Sequence, residues 1–252
     1  MDLELSGMRV LVTGGTRGIG RAVVEAFLAE GAQVAFCARN SDEVAAAQEA
    51  LSGRGTVSGA TVDVADAEAL AAWVEGSADA FGGLDVVVAN VSALAIPDTE
   101  ENWQASLNVD LMHTVRLVRA AMPHLERSEA ASIIAISSVS GRESDFASGP
   151  YGTAKTAIIG YIHGLAMQLA SKGIRANTVS PGNTYFEGGV WSSIKTGNPD
   201  LFATAMALNP TGQMGTPEEV AAPVVFLASP LARRVSGSNL VVDGALTRGI
   251  QL

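Results

Sequence analysis

The chain has 252 residues, 48% of them hydrophobic and 17% charged, with a net charge of −10. That length and composition suit one large α/β domain with a sizeable core and argue against disorder. The acidic balance excludes broad attraction to nucleic acid or an anionic membrane, so an anionic ligand must be held by local groups such as helix N-termini or single arginines.

The start, Met1 to Glu4, is acidic where a secretory signal would be basic, and no apolar run reaches the roughly 18 residues of a membrane span. A soluble, cytoplasmic protein is expected. Residues 10–12 form the first apolar run, followed by a Gly-rich turn and a helical pattern over 18–30. A second run, 34–36, leads into the lone cysteine, Cys37, which can form no intrachain disulfide and, in a buried strand, is a poor nucleophile. Further strands are predicted at 86–88, 133–136, 176–179 and 240–242, and further helices at 41–51, 66–81, 102–125, 151–171 and 217–228. The last helix opens on Thr216, Pro217, Glu218 and Glu219, a cap–proline–acid start. Near-continuous apolar character suits a parallel sheet covered on both faces. The β-α alternation then implies right-handed crossovers and a Rossmann-like doubly wound sheet, a single domain over 1–252. Residues 181–215 lack clear periodicity and carry Tyr185, Phe186, Trp191, Phe202 and Met206. They read either as a substrate lid, at about 183–215, or as a variable surface loop with two short helices.

Gly14, Gly18 and Gly20 fall between a strand and a helix, with Thr16, Arg17 and Ile19 interleaved, in the spacing G-x-x-x-G-x-G. Such a turn lets backbone approach a pyrophosphate, and the helix start offers unpaired N–H groups and a positive dipole end. A dinucleotide site follows. At the end of the second strand an acid would hold a ribose 2′-hydroxyl, whereas an arginine accommodates a 2′-phosphate. Here Ala38 is followed by Arg39, and Arg17 adds a second charge, which favours NADP(H) over NAD(H). Asp63 and Val64, after the third strand, are placed to border the adenine, with Asp63 equally readable as a helix-start residue.

Tyr151 and Lys155 lie four apart in a helix and so share a face. An ammonium beside a phenol favours the phenolate, which makes Tyr151 a usable general acid/base.

With the loop from Thr13 to Gly20 and the Tyr151-x-x-x-Lys155 pair together, the chain resembles the short-chain dehydrogenase/reductase family over nearly its whole length. The resemblance implies a serine thirteen residues before the tyrosine, met by Ser138, and an asparagine on the preceding long helix, matched to Asn108. It implies that Tyr151 exchanges the proton, Ser138 hydrogen-bonds the substrate oxygen, Lys155 holds the nicotinamide ribose and tunes the tyrosine, and Asn108 holds a water in the relay. It also carries Asn90, Pro181, Gly182 and, through backbone atoms, Thr184 into the cofactor site. Two departures stand out: the family's Asn-Asn-Ala-Gly appears as Ala89, Asn90, Val91, Ser92, and a threonine often found after Pro-Gly is Phe186. The substrate pocket is expected from residues 93–96, 142–146 and the lid, whose end is aromatic.

The expected activity is an NADP(H)-dependent reduction of a 3-oxoacyl thioester or small ketone. The alternatives are an NAD-dependent secondary alcohol or steroid dehydrogenase, and a non-catalytic nucleotide sensor, which would be expected to lose some of Ser138, Tyr151 and Lys155. No metal is called for. The resemblance further implies a homotetramer or homodimer, with helices 102–125 and 151–171 at an interface and Gly160 and Gly164 permitting close approach.

Overall fold

The computed structural model describes residues 2–250. Seven parallel strands form one sheet: β1 (Arg9–Thr13), β2 (Gln33–Ala38), β3 (Val57–Thr61), β4 (Val86–Ala89), β5 (Ser132–Ile136), β6 (Arg175–Pro181) and β7 (Asn239–Val242), in the order β3-β2-β1-β4-β5-β6-β7. The strand order reverses between β1 and β4, so a crevice opens beyond their C-terminal ends, the usual place for a ligand in such a sheet.

Alternate residues of each strand feed two apolar layers. Val10, Val12 and Phe36 join Phe27 of α1 (Gly18–Ala29) and Val224 of α9 (Pro217–Ala228) on one face. Leu11 and Val87 join Trp73 of α3 (Ala67–Phe81), Leu117 of α5 (His113–Leu125) and Ile158 of α6 (Pro150–Leu169) on the other. Each such side chain is worth about 1.5–3 kcal/mol of burial, which is why a strand buried on both faces reads as an unbroken apolar run.

β3 breaks that pattern: Val57-Ser-Gly-Ala-Thr61 carries no apolar run, and it sits at the sheet edge with one neighbour. Its Gly59 is required by proximity, since a Cβ there would lie 2.7 Å from the Phe36 ring and 2.9 Å from Val44. The helix ends follow their caps. Asn40 accepts from the amides of Asp42 and Glu43 to start α2 (Ser41–Leu51), and Asp66 accepts from Glu68 and Ala69 ahead of α3. Thr216 and Glu219 complete a reciprocal capping box on α9.

The helix predicted at 102–125 is not uniform. It runs as α4 (Glu100–Ala105), a π-helical stretch Ser106–Met112, then α5. Residues 181–215 do contain two short helices, α7 (Val190–Gly197) and α8 (Pro199–Leu208), with a small apolar cluster of their own around Trp191, Ala205 and Met214. No helix among the described residues is long and apolar enough to cross a membrane.

Candidate active site

A cleft of about 560 Å³ runs along the C-terminal ends of β1, β4, β5 and β6. Its floor at one end is the turn between β1 and α1. Gly14 and Gly18 have φ of +74° and +54°, a region glycine enters without strain. A Cβ on Gly20 would lie 2.0 Å from the Gly14 carbonyl oxygen, so the helix start can pack against the loop only with glycine there. Asn90 pins the loop from β4, its Nδ2 donating to the Thr13 and Gly14 carbonyls at 3.0 and 3.4 Å and its backbone amide to Thr13 Oγ1 at 3.0 Å. The result is a backbone cradle at a helix N-terminus, open to the cleft and shaped for a diphosphate.

Arg17, Arg39 and Asn40 line the outer end. Arg39 is exposed and makes no hydrogen bond or ion pair with the other described residues, while Arg17 Nη1 donates to the Gly188 carbonyl at 3.4 Å. Glu43 reaches the same end and accepts from Thr16 Oγ1 at 3.2 Å. These donors, with Ala38 in place of an acid, fit a dinucleotide carrying an extra phosphate.

At the inner end, Ser138, Tyr151 and Lys155 converge. Lys155 is only 2% exposed, donates to the Ile136 carbonyl at 3.1 Å, and holds its Nζ 5.6 Å from the centre of the Tyr151 ring. Ser138 Oγ accepts from the Ser140 amide at 3.1 Å and faces the cleft. Gly149, with φ +105°, and Pro150 start α6 one residue ahead of Tyr151, which delivers the phenol to the cleft on the first helical turn. A phenol, a hydroxyl and a buried ammonium on one cavity can bind a carbonyl oxygen and exchange a proton with it.

The structure brings together Gly14, Thr16, Arg17, Gly18, Ile19, Gly20, Arg39, Val64, Asn90, Ser138, Tyr151, Lys155, Pro181, Gly182 and Thr184 on this one cleft. Two predicted residues stand apart. Asp63 turns back on its own chain, accepting from the Ala65 amide at 2.9 Å, and Val62 joins Val64 in the wall instead.

Asn108 is the larger correction: it does not reach the pair. Its Oδ1 accepts from Arg116 Nη1 at 2.8 Å, and Arg116 also donates to the Ala65 carbonyl at 3.2 Å. The residue that meets Lys155 is Asp110, 0% exposed, with Oδ1 3.2 Å from Nζ. Residues two apart on a helix do not share a face, so the identity of one excludes the other. The Asp110–Lys155 contact is a charge pair without hydrogen-bond alignment, while Oδ2 accepts from the Ala93 amide at 3.0 Å.

Beneath the pair lies a group that the sequence reading passed over. His113 is fully buried, its Nδ1 2.8 Å from the Val109 carbonyl and its Nε2 3.0 Å from Thr13 Oγ1. A carbonyl only accepts, so Nδ1 carries the proton and Nε2 accepts from threonine. Burial drives His113 down to about 4, helped by the nearby Lys155 and Arg116 charges, so the ring is neutral. The available signal for both residues was a polar pair, Asp110 and His113, inside an otherwise core-facing helix.

Over the substrate end, Phe186 lies against Gly18 and Gly189, where a Cβ on either would meet its ring at 2.5 and 2.8 Å. Phe146, from the loop after β5, meets Trp191 of α7 edge-to-face at 5.7 Å.

This fold and cleft define a Rossmann-type α/β protein built around a dinucleotide. The chain belongs to the short-chain dehydrogenase/reductase family: a family model described as enoyl-(acyl carrier protein) reductase matches residues 14–247. It is 42% identical to an isoepoxydon dehydrogenase of Penicillium expansum over 98% of this chain and 97% of that protein. It is 32% identical to a 3-oxoacyl-acyl-carrier-protein reductase of Vibrio harveyi over 97% of this chain and 99% of that one. Among solved structures, L-sorbose reductase from Gluconobacter frateurii, complexed with NADPH and L-sorbose, superposes with a TM-score of 0.91 at 28% identity, covering 99% of this chain and 100% of that one.

Proposed function

We propose that this protein transfers a hydride between NADP(H) and a ketone or secondary alcohol, with Tyr151 exchanging the proton at the carbonyl oxygen. The observation that carries this reading is the convergence of Ser138, Tyr151 and buried Lys155 on the cleft that the Gly-rich loop opens. The nicotinamide, when bound, supplies or accepts the hydride. The chain's own residues do the rest. Backbone amides of the helix start, at Gly18 and Gly20, hold the diphosphate over the turn that Gly14 makes possible, its own amide being bonded to the Cys37 carbonyl, and Arg17 and Arg39 hold the 2′-phosphate. Val64 borders the adenine, and Asn90, Pro181, Gly182 and Thr184 position the nicotinamide side. Ser138 hydrogen-bonds the carbonyl oxygen as charge develops there, and Lys155 grips the ribose and faces the phenol.

For the substrate we propose a compact, oxygenated ketone or alcohol bound under a lid formed by residues 183–215. Ser92, Ser140 and Asp145 supply polar groups at that end, and the Phe146–Trp191 contact narrows the exit. The reductase that resembles this chain and carries L-sorbose in its structure supports the same class. Purified protein mixed with NADPH and a panel of sugar-like ketones, cyclic ketones and 3-oxoacyl thioesters tests this by loss of NADPH absorbance. Turnover of the thioesters alone would overturn the substrate class, and no turnover of any ketone would overturn the reaction.

One observation favours a second reading, an NAD-dependent dehydrogenase working oxidatively. Glu43 places a carboxylate at the ribose end, where it would suit hydroxyls better than a phosphate. Arg39→Asp separates the two: preference moves toward NAD only if Arg39 meets the 2′-phosphate. We also propose a homodimer or homotetramer, since Cβ atoms on Gly160 and Gly164 of α6 would meet open space and Met167 beside them is 80% exposed. Light scattering checks it. Cys37, pushed up to about 12 by burial, is inert and compatible with a cytoplasmic enzyme.

A further inference from the structure

We infer that Asp110 is a positioning residue: its carboxylate is the counter-ion of Lys155, and it sets the pH at which Tyr151 gives up its proton. The inference rests on the reading of Tyr151 as the proton-exchanging group, but it concerns a residue on which that reading does not depend.

Three observations lead to it. The Lys155 ammonium and the Asp110 carboxylate are both buried and 3.2 Å apart, and Lys155 faces the Tyr151 ring. A buried charge pair attracts strongly because little water screens it. Second, Asp110 Oδ1 accepts no hydrogen bond from the other described residues, and the cation beside it is Lys155. Third, Asp110 Oδ2 accepts from Ala93 in the segment after β4, where Leu94 is held at φ +50° and lines the cleft. One side chain thus joins the ammonium to the substrate wall.

The surroundings leave Asp110 as the group that offsets Lys155. From α6 the pair is faced by Tyr151 and Lys155 themselves. From its own helix His113 is neutral, and Arg116 is turned to Asn108 and Ala65. Glu100 and Glu101 of α4 are exposed. β4 and β5 contain no ionisable residue, and in β1 Arg9 is bound to Asp85 at the far end of the strand. A neutral amide at this position would leave the full lysine charge acting on the phenol. The carboxylate cancels part of that charge, so the phenolate forms at higher pH.

The test is an ultraviolet titration of the phenolate in the whole protein, read as wild type minus Tyr151→Phe, and repeated in an Asp110→Asn background. Three tyrosines are present, and the subtraction isolates Tyr151. The amide keeps an acceptor for Ala93 and removes the charge. The Tyr151 midpoint should then fall by about one pH unit, the scale of one partly screened charge nearby. Asp110→Ser, smaller and equally neutral, should move it the same way and serves if the amide variant does not fold. Carbonyl reduction by NADPH should show the same downward shift of its pH profile. An unmoved or raised midpoint overturns the inference, as does lower turnover with an unchanged profile, which a merely structural role would give. If Tyr151→Phe keeps full turnover, the reaction reading falls while the titration still decides the role of Asp110.

Discussion

A methyl group added at Gly20 would lie 2.0 Å from the Gly14 carbonyl oxygen, whereas one added at Gly197, at the end of α7, would meet nothing within 4 Å. The two ends of the cleft are built differently. The nucleotide end is tightly packed backbone, against backbone at Gly20 and against the Phe36 side chain at Gly15, with the Asn90 side chain tying β4 to the loop. The substrate end is side chain on side chain: Trp191, Phe202 and Tyr185 stack edge-to-face, and Lys195 lies over Tyr185 and Phe202. Its links to the nucleotide loop are Phe186 resting on Gly18 and the Arg17 bond to Gly188. A ligand of one fixed shape suits the first construction, and an adjustable substrate the second.

That contrast breaks most visibly at the glycines. Gly20→Ala should abolish NADPH binding, at least about 100-fold by fluorescence titration, because neither the carbonyl nor the helix start can give way. Gly197→Ala should leave binding within twofold and stability within about 0.5 kcal/mol by thermal unfolding. Equal effects would show that the two ends are not built to different tolerances.

Between the ends, Tyr151→Phe removes one oxygen and no packing. Turnover should fall about 10²–10⁴-fold, the usual worth of a positioned acid/base, while the NADPH dissociation constant stays within twofold. A parallel loss of both would make Tyr151 part of the cofactor wall rather than of the chemistry.

Acid should undermine the nucleotide end by way of His113. Its folded value near 4 lies below the ordinary 6.5, so the unfolded chain takes up the proton first and gains from it. Stability is therefore whole above about 6.5 and drains away as the pH falls toward 4, by a few kcal/mol in order of magnitude. Urea unfolding across that window should show the slope, and His113→Gln should flatten it. Asp85 acts lower: burial pushes it up, but bonds from Arg9 and Ser128 outweigh that and hold it below its ordinary 3.8, so its contribution is lost only in stronger acid.

The same contrast explains what the sequence could and could not disclose. Strands buried on both faces announce themselves, and so do Gly14, Gly18 and Gly20, because each is forced by a local backbone need. β3 is implied only by its place ahead of Asp63 and gains no range from the hydrophobic pattern, because an edge strand with Gly59 pressed against Phe36 needs no apolar run. The Asn108 side chain stands away from the pair for a different reason. A helix pattern says which residues lie within a turn of each other but not which one faces inward, and the π-helical stretch Ser106–Met112 alters that phase. Nothing in the sequence separates Asp110 from a solvated acid, and its 0% exposure beside Lys155 is what distinguishes it. The segment 183–215 gave aromatic composition without periodicity, since its helices pack on each other rather than on the sheet.

Trp191→Ala should have the most local effect, confined to the substrate end. Trp191 is 5% exposed and meets Phe146 at 5.7 Å and Phe202 at 6.4 Å, so it joins the α7–α8 cluster to the loop after β5. Edge-to-face pairs of this kind are worth about 0.5–1.5 kcal/mol each beyond burial, and the cluster is separate from the two main apolar layers. The loss should therefore appear as a rise of about tenfold in KM for the carbonyl substrate. The NADPH dissociation constant should stay within twofold, because the loop that holds the diphosphate does not rest on Trp191. Stopped-flow binding of NADPH beside steady-state kinetics separates the two quantities. If cofactor affinity fell in step with KM, the Arg17–Gly188 and Phe186–Gly18 contacts would be transmitting lid order to the loop, and the two ends of the cleft would form one mechanical unit.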